Sequence, residues 1–469
     1  MLDQSLQSYI YRWPYFDFER HPHWRITADG RFYMREMPEQ ESDLALDSRW
    51  PGFFPSPICL VTTRAGDQIA LEKVVGASIV NRFPYVLALS FCTQPLSDRH
   101  HARNQFTEML ERGASVAVQF LSPGPRLDAA MQAISNVPED QTTTRIQKSG
   151  LATRSAVTND APVFEDAYLV YEARLVQPGH DFEGHPIYQQ AWQDVGSHRI
   201  FFLEVNAIQL REDIAGGKSQ ILWRSLPAWP IQPDSSSSAS AETGSLSAVK
   251  YQKGYNPHYA FPSETTTAFE YGEVQNGMAI LRLAPLPEDQ VEVDNDRARW
   301  PCFFPSSAGM ITTMDDNGRP NLAPCGSTTI VSRHPLIIAP CLSYARINIR
   351  YAPRASLDMI RRQGRFGCSV PYINEKVISA IKYAGNISMR DDPDKIANSG
   401  LGVAIQNGIP RLTGMPVHYD CKVKGEIRLG THIMFLGEVT RIFVRDDLRS
   451  DIPMEWCPWA TVKPVSPCL

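Results

Sequence analysis

The chain contains one fifteen-residue pattern twice, and this repeat constrains the fold more than any other feature of the sequence. RWPGFFPSPICLVTT occupies residues 49–63, and RWPCFFPSSAGMITT occupies residues 299–313. Nine of the fifteen positions are identical. The two segments start 299 − 49 = 250 residues apart. That period is far longer than the roughly 20–50 residues of a solenoid repeat, so the pattern indicates duplication of a whole domain.

Further matches follow in the same order through both halves of the chain. NRFP at 81–84 corresponds to SRHP at 332–335, and RIQKSGL at 145–151 corresponds to KIANSGL at 395–401. GSHRIFFLEV at 196–205 corresponds to GTHIMFLGEV at 430–439. A unit of this length can bury its own core. The sequence therefore predicts two similar domains in tandem.

The segment between the two copies has a different composition. Residues 225–248 begin with several prolines and continue into a serine-rich run, a composition typical of a flexible linker. We therefore divide the chain into an N-terminal extension (1–45), a first unit (46–213), a linker (214–250), an extension of the second unit (251–290), a second unit (291–446) and a C-terminal tail (447–469).

Charge and hydropathy exclude several classes of protein. The net charge of −5 and the absence of a basic block argue against a nucleic-acid partner. No apolar run approaches the roughly 18 residues of a membrane span. The N-terminus has no basic segment followed by an apolar one, and the nine cysteines include no CxxC pair or zinc-ligand spacing. We therefore expect a cytoplasmic protein with reduced cysteines and no metal site.

Periodicity predicts a mainly β fold with interposed helices. In the second unit, strands are expected at 307–315, 321–332, 336–343 and 365–371, with a DNGRP turn joining the first two. Helices are expected at 355–364, which ends in a glycine, and at 375–385. A long hairpin is expected over 417–445. Short strands with glycine-rich turns favour a small barrel.

At this point the motifs resemble those of the flavin reductase-like family of FMN-binding split β-barrels. The pieces are GRPNLAPCGSTTIVSRHP (318–335), Asp394-Lys395 followed by Gly400-Leu401, and GTHIMFLGEV (430–439). The similarity is strong over about 300–445 and weaker over about 50–212. The resemblance implies two tandem split β-barrels that form a pseudo-dimer within one chain. A homodimer of such chains is a further expectation, because symmetric dimers are the commonest oligomers.

The resemblance also implies a flavin site, and FMN is expected rather than FAD. Small and hydroxyl residues on one strand suit close approach of the ring and donation to phosphate, and cations suit the phosphate charge. The expected cofactor-binding residues are Asn321, Cys325, Gly326, Ser327, Thr328, Thr329, Ser332, Arg350, Arg354 and Lys395. His432 is the candidate catalytic residue, on the nicotinamide or substrate side of the flavin.

Each of these residues also has a plain structural interpretation. STTIV is a good β-strand sequence, an arginine before a helix is usually solvated, and a lone histidine is more often structural than catalytic. Cys325 is interpreted as a small residue beside the flavin rather than a redox group.

The first unit lacks most of the hydroxyl residues of this strand. It has Val75-Gly76-Ala77-Ser78 where the second unit has Gly326-Ser327-Thr328-Thr329, and Glu72-Lys73 replaces Ala323-Pro324. A carboxylate would repel a phosphate. We therefore expect one flavin per chain, held by the second unit. Residues of the first unit that could still reach the shared cleft are Arg99, Arg103, Trp192 and His198.

Three functions remain open from the sequence. The first is an FMN-dependent oxidoreductase with hydride transfer through flavin N5, acting directly on a small organic substrate in a biosynthetic or degradative pathway. The second is an NAD(P)H:flavin reductase that supplies reduced flavin to a partner monooxygenase; no GxGxxG follows a strand, but members of the family do without a Rossmann module. The third is a non-catalytic FMN-binding protein of electron transfer. Aromatic residues in both extensions could roof a pocket or form an arm over the barrels; they are Tyr9, Tyr11, Trp13, Tyr15, Phe16, Trp24, Tyr251, Tyr255, Tyr259 and Phe261.

Overall fold

The structure is a computed structural model of the chain. It describes residues 6–12, 24–37, 54, 56–57, 59–74, 76–81, 84–93, 105–121, 125–137, 141–212, 221–227, 273–282, 307–344, 354–371, 375–445, 454–457 and 461–464. Arg99, Arg103 and Arg350 lie outside these residues, as do Trp13, Tyr15, Phe16 and the aromatic residues of 251–261.

The first half of the chain contains strands, three helices and short hairpins. Its elements are β1 (Leu6–Arg12), β2 (Arg25–Ile26), β3 (Phe32–Glu36), β4 (Ser56–Pro57), β5 (Cys59–Ala65), β6 (Gln68–Val74), β7 (Gly76–Asn81), β8 (Val86–Cys92), α1 (Gln105–Glu111), β9 (Ser115–Leu121), α2 (Pro125–Ser135), α3 (Thr142–Ser149), β10 (Thr153–Ser155), β11 (Pro162–Phe164), β12 (Ala167–Leu175), β13 (Gly179–His180), β14 (Pro186–Ile187), β15 (Trp192–Val195), β16 (His198–Arg211) and β17 (Ile221–Pro227).

The second half repeats this order. Its elements are β18 (Glu273–Gln275), β19 (Met278–Arg282), β20 (Ser307–Met314), β21 (Pro320–Arg333), β22 (Leu336–Ser343), α4 (Ala355–Gln363), β23 (Arg365–Val370), α5 (Glu375–Asn386), α6 (Lys395–Asn398), β24 (Val403–Gln406), β25 (Ile409–Leu412), β26 (Val417–Arg428), β27 (His432–Arg445), β28 (Met454–Cys457) and β29 (Thr461–Pro464). The strands and helices expected in the second unit are confirmed to within about two residues at each end.

Six strands of the second unit close into a barrel. The hydrogen-bonded order is β20, β21, β22, β27, β26 and β23, and β23 pairs back to β20. The DNGRP turn joins β20 to β21, with Gly318 at φ +76° and its amide donating to the Asp315 carbonyl at 3.1 Å. Alternating apolar residues such as Ile311, Phe366 and Tyr419 fill the interior. Closure leaves no unpaired edge within the barrel.

The first unit has the same arrangement with one long strand divided into two. Segments β6 and β7 occupy the place of β21, and the order is β7, β8, β16, β12, β9, β5 and β6. The fold is therefore mainly β, with two tandem barrels, as the repeat predicts.

Each leading hairpin adds strands to the opposite unit. Strand β3, which precedes the first unit, pairs antiparallel with β27 at the end of the second unit. Strand β19, which precedes the second unit, pairs with β16 at the end of the first unit in the corresponding register. Trp24, beside the first hairpin, is buried in the core of the second unit. In its described part, the N-terminal extension thus covers barrel surface; Tyr9 and Tyr11 lie in β1, of which only the backbone is described.

The two units share one hydrophobic core. The cluster around β7, β8 and β16 of the first unit includes Val331, Ile337 and Cys341 of the second. Polar bonds cross the same boundary: Ser90 Oγ donates to the Val331 carbonyl at 2.7 Å, and Tyr188 Oη donates to the Leu429 carbonyl at 2.6 Å. The structure therefore holds the two barrels as a pseudo-dimer. Among the described residues, no helix is long and apolar enough to cross a membrane.

Gly196 marks the closest approach between the units. It has φ +55°, and a Cβ there would clash with Ser332 Oγ and lie 2.6 Å from the His334 carbonyl oxygen. Gly66 has almost the same φ, +59°, in a turn with nothing within 4 Å of the corresponding position. Both glycines therefore need a positive φ, but only at Gly196 would a Cβ meet atoms of the other unit.

We expect Gly196→Ala to destabilise the protein much more than Gly66→Ala. Both substitutions place a side chain at a left-handed backbone position, which costs about 1 kcal/mol. Only Gly196→Ala also forces the units apart, which we expect to add at least about 2 kcal/mol by overpacking. Urea unfolding of both variants measures the difference. Equal losses in the two variants would show that the units do not pack at Gly196.

Candidate functional site

Lys395 is a buried cation at the start of α6. Its residue is 4% exposed. Burial, and after it the positive charge of Arg354, lower the pKa of Lys395 to about 7, with Asp392 acting in the opposite direction. The Asp392 carboxylate accepts hydrogen bonds from Tyr383 Oη at 2.7 Å and from Asn398 Nδ2 at 3.0 Å. Within the described part of the chain, no hydrogen bond or ion pair reaches Lys395 Nζ.

Arg354 is held beside Lys395 by three elements. Its backbone amide donates to the Ser343 carbonyl at the end of β22, at 3.1 Å, and it caps the N-terminus of α4. Its Nη1 donates to the Gly385 carbonyl in the last turn of α5, at 3.0 Å. The Arg354 charge also acts on Cys325 of β21, where burial is the main cause of a raised thiol pKa. Two cations therefore lie together beside β21.

Strand β21 carries small and hydroxyl residues along this region. Gly326 and Ser327 are partly exposed, whereas Thr328, Thr329 and Ser332 are buried. The pairing with β20 is irregular between Ser307 and Gly309, opposite this segment. Thr328 Oγ1 donates to the Cys325 carbonyl at 2.9 Å, and Cys325 Sγ–H points to the Cys341 carbonyl at 3.2 Å. The strand thus presents backbone and small side chains at Gly326 and Ser327.

The equivalent position in the first unit is closed by an internal ion pair. Arg145, which corresponds to Lys395, has its Nη1 2.5 Å from Glu72 Oε1. Their side chains are 6% and 13% exposed. Glu72 corresponds to Ala323 of the second unit, which has no charge to offer Lys395. Among the described residues, Arg145 has a carboxylate in direct contact and Lys395 Nζ has none.

The two equivalent histidines lie at the contact between the units. His432 Nδ1 is 2.7 Å from Thr431 Oγ1, and the His432 backbone amide donates to Asn81 Oδ1 of the first unit at 3.2 Å. His198 Nδ1 is 2.8 Å from Ser197 Oγ. Burial, and then the charges of Arg333 and His334, lower the pKa of His198 to about 3. His198 is therefore neutral at physiological pH.

Three other predicted site residues have their contacts elsewhere. Asn321 is buried, and its Nδ2 donates to Ser356 Oγ at 2.8 Å and to Thr313 Oγ1 at 3.1 Å, so it ties β21 to the first turn of α4. Trp192 lines an open cavity of about 430 Å³ in the first unit, together with Glu111 and Arg112. Ser332 contacts the first unit, where its Oγ accepts from the Ser197 amide at 3.2 Å.

Sequence reasoning missed Asn81 and the partner of Glu72. Glu72 was interpreted only as a charge that repels phosphate, although the repeat places Arg145 at the position of Lys395. Comparing the charged positions of the two copies in pairs would have found this ion pair. Asn81 gives no such signal, because the groups that donate to its amide oxygen come from the other unit.

The described residues fit an anionic group of the size and charge of the FMN phosphate. Lys395 is a buried ammonium that no hydrogen-bond acceptor of the described residues reaches, and Arg354 adds a second positive charge. Such cations call for an anion, since desolvated cations are costly unless paired. Lys395 and Arg354 supply the charge, and the Gly326–Ser327 segment supplies close backbone approach.

We expect the two equivalent cations to respond oppositely to removal. In flavin-free protein, Lys395→Met removes an uncompensated buried charge and should raise the melting temperature at pH 7. Arg145→Met removes the guanidinium that pairs with the largely buried Glu72 carboxylate and should cost on the order of 3 kcal/mol.

The Lys395→Met gain should shrink as the pH rises. Between the folded pKa of about 7 and the usual lysine value, the unfolded chain binds the extra proton, so the lysine costs less stability at higher pH. Thermal unfolding of wild type and both variants from pH 7 to pH 10 measures this. Destabilisation by Lys395→Met would contradict an uncompensated charge.

Comparison with known proteins identifies the family. The Flavin reductase like domain matches residues 51–225 and 302–459. A comparison with curated proteins gives no match. Among solved structures, the flavoredoxin of Desulfovibrio vulgaris (Miyazaki F) is 24% identical, with a TM-score of 0.29, covering 35% of this chain and 90% of its own. Nitrilotriacetate monooxygenase component B from Bacillus cereus is 18% identical, with a TM-score of 0.32; the match covers 40% of this chain and 98% of the other. An FMN-binding protein from Thermus thermophilus with bound p-hydroxybenzaldehyde is 17% identical, with a TM-score of 0.28; the match covers 34% of this chain and 86% of the other. The two matched segments span more than half of the chain and coincide with the two barrels, so the protein belongs to the Flavin reductase like domain family in two tandem copies.

Proposed function

We propose that the protein is an FMN-dependent oxidoreductase with one flavin site per chain, built on the second unit. Lys395 and Arg354 would hold the phosphate, and the segment from Cys325 to Thr329 would face the ring. Bound FMN supplies two-electron chemistry by hydride transfer at N5. The proposed substrate is a small organic molecule bound at the same cleft, with the protein contributing orientation and electrostatics.

The observation that carries this proposal is the difference between the equivalent cations. Arg145 is neutralised by Glu72 at 2.5 Å, whereas no anion of the described chain contacts Lys395 Nζ. A buried lysine with a pKa of about 7 is costly to the folded protein unless a ligand compensates for it. The asymmetry supports an anion-bearing ligand in the second unit alone.

In this proposal, residues of the chain position the cations, exclude water and transfer a proton. Asn321 and Ser356 fix α4 against β21, so that Arg354 keeps its position. Burial of Lys395 excludes water around the anion and strengthens the charge interaction. His432 is the candidate for accepting or donating a proton on the substrate side, because imidazole changes charge near neutral pH.

A nicotinamide-dependent flavin reductase with a partner monooxygenase is the second candidate, and membership of the family favours it. A site of buried cations favours retention of flavin over release, which supports direct chemistry on a substrate.

A non-catalytic electron-transfer protein is the third candidate. Anaerobic mixing with NADH and NADPH separates these. Rapid bleaching with turnover of free FMN supports the reductase, and a stoichiometric flavin that nicotinamides leave oxidised supports one of the other two.

We expect purified protein to bind about one FMN per chain and to distinguish FMN from riboflavin through Lys395. Loss of a charge-assisted contact costs about 1.5–3 kcal/mol, so Lys395→Met should weaken FMN binding roughly 10- to 100-fold. Riboflavin, which has no phosphate, should bind wild type and variant equally.

Arg145→Lys, which keeps the charge beside Glu72, is the matched control in the first unit and should leave FMN affinity unchanged. Fluorescence titration of wild type and the two variants with both flavins measures all six affinities. Two equivalent flavins per chain, or equal losses for FMN and riboflavin in Lys395→Met, would contradict the assignment.

FMN affinity should fall as the pH rises above 7. Bound phosphate favours the protonated lysine, so binding takes up a proton above the ligand-free pKa of about 7. The dissociation constant should then rise by up to about tenfold per pH unit until the pKa of the complex is reached. Lys395→Arg should flatten this dependence, since arginine stays protonated. A pH-independent wild type between pH 7 and pH 9 would exclude Lys395 from the phosphate site.

A further inference from the structure

Each unit places a hydroxyl residue before its equivalent histidine, but the group that meets this hydroxyl differs. In the second unit, Thr431 Oγ1 is 2.7 Å from His432 Nδ1 and meets Asn81 of the first unit. In the first unit, Ser197 Oγ is 2.8 Å from His198 Nδ1 and meets Ser332 of the second. Asn81 and Ser332 occupy the same repeat position. An amide and a hydroxyl have different hydrogen-bonding capacities, so the two histidines need not share a tautomer.

Asn81 presents its amide oxygen to the second unit. Its Nδ2 donates to the Pro84 carbonyl at 2.9 Å, which fixes the orientation of the side chain. Its Oδ1 accepts from the backbone amides of Thr431 at 2.9 Å and His432 at 3.2 Å. Thr431 Oγ1 lies 2.8 Å from the same oxygen. An amide oxygen only accepts, so Thr431 must donate its single hydroxyl proton to Asn81.

This donation decides the proton position on His432. With its hydrogen directed to Asn81, Thr431 Oγ1 can only accept from His432 Nδ1 at 2.7 Å. Nδ1 must therefore carry a proton, and in neutral His432 the lone pair is on Nε2.

In the first unit, the hydroxyl of Ser332 places the histidine proton on the other ring nitrogen. Ser197 Oγ accepts from the His334 amide at 3.1 Å and lies 3.5 Å from Ser332 Oγ. Ser332 Oγ accepts from the Ser197 amide, so its own hydrogen can be directed to Ser197 Oγ. Both hydroxyl hydrogens then have acceptors only if Ser197 donates to His198 Nδ1. His198 consequently carries its proton on Nε2.

We infer that Asn81 is a positioning residue that holds neutral His432 as the Nδ1–H tautomer, with Nε2 as a proton acceptor, while Ser332 sets His198 in the opposite tautomer. The role of this arrangement in catalysis rests on the proposed function; the tautomers themselves do not. The ligand it suits at His432 is one that gives up a proton from an O–H or N–H group.

The two networks tolerate protonation differently. A proton that leaves a ligand O–H or N–H group can bond to His432 Nε2 while the Nδ1–H bond to Thr431 and the Thr431 bond to Asn81 stay in place. At His198 the lone pair is on Nδ1 and accepts from Ser197 Oγ, so a proton there would displace the Ser197 hydroxyl hydrogen. His198 also lies near Arg333, and its pKa is lowered to about 3. Acid–base chemistry is therefore confined to the second unit.

Long-range proton–nitrogen NMR of histidine-labelled, flavin-free protein at pH 8 tests the inference. The coupling pattern of each ring identifies its protonated nitrogen. Eleven histidines are present, and His432→Gln and His198→Gln each remove one signal for assignment. We expect Nδ1–H at His432 and Nε2–H at His198. The same tautomer at both positions would overturn the inference, and because no flavin is involved this result would not bear on the cofactor assignment.

Variants of Asn81 extend the test. Asn81→Ser gives the His432 network the same residue type that Ser332 gives the His198 network, and it should move the His432 proton to Nε2. Asn81→Asp keeps a pure acceptor and should preserve Nδ1–H. An unchanged His432 spectrum in Asn81→Ser would show that Asn81 does not set the tautomer. Should Asn81→Ser fail to fold, the wild-type spectrum and Asn81→Asp still decide the question.

Discussion

The rest of the structure depends on one contact, at which the turn before the last barrel strand of each unit packs against the other unit. The turn before β16 meets Ser332, and the turn before β27 meets Asn81, so the same two repeat positions face each other twice. These bonds lie over a core to which both units contribute. Buried hydrogen bonds across such a boundary specify one relative orientation, because leaving either partner unpaired is costly. The residues of the candidate site on β21 and β27 are positioned by this contact.

Covalent linkage of the two copies removes the symmetry that a homodimer would impose. In a symmetric pair, a substitution at one site appears at both. Here Glu72 and Ala323 differ at one repeat position, and Arg145 and Lys395 at another. One barrel has an internal ion pair where the other has a buried cation that no anion of the described residues contacts. The hairpins exchanged between the units make the arrangement reciprocal, since each copy needs the segment that precedes the other to cover its last strand.

The repeat and its periodicity were sufficient to predict the fold class and most elements of the second unit. The turn at Asp315 to Arg319 and the helix ending before Gly364 follow from local residue chemistry, which a sequence displays directly. The hairpin exchange could not be predicted, because the choice of partner strand depends on which edge is free in the assembled pair. The placement of Asn321 behind the site, rather than on its surface, likewise depends on Ser356, a residue 35 positions away. Charge differences between aligned positions carry information, because Glu72 already marks a position at which the two units differ in charge.

The asymmetry of the two histidines follows from the same logic as that of the cations. A histidine in a fixed sequence motif is chemically undefined until its Nδ1 partner is known, because that partner decides which nitrogen faces a ligand. Thr431 and Ser197 are nearly equivalent as side chains, so the distinction must come from the residue behind them. That residue belongs to the opposite unit in both cases. The proton chemistry of each barrel is thus determined by its neighbour, and a single copy separated from the chain would lack the group that defines its own histidine.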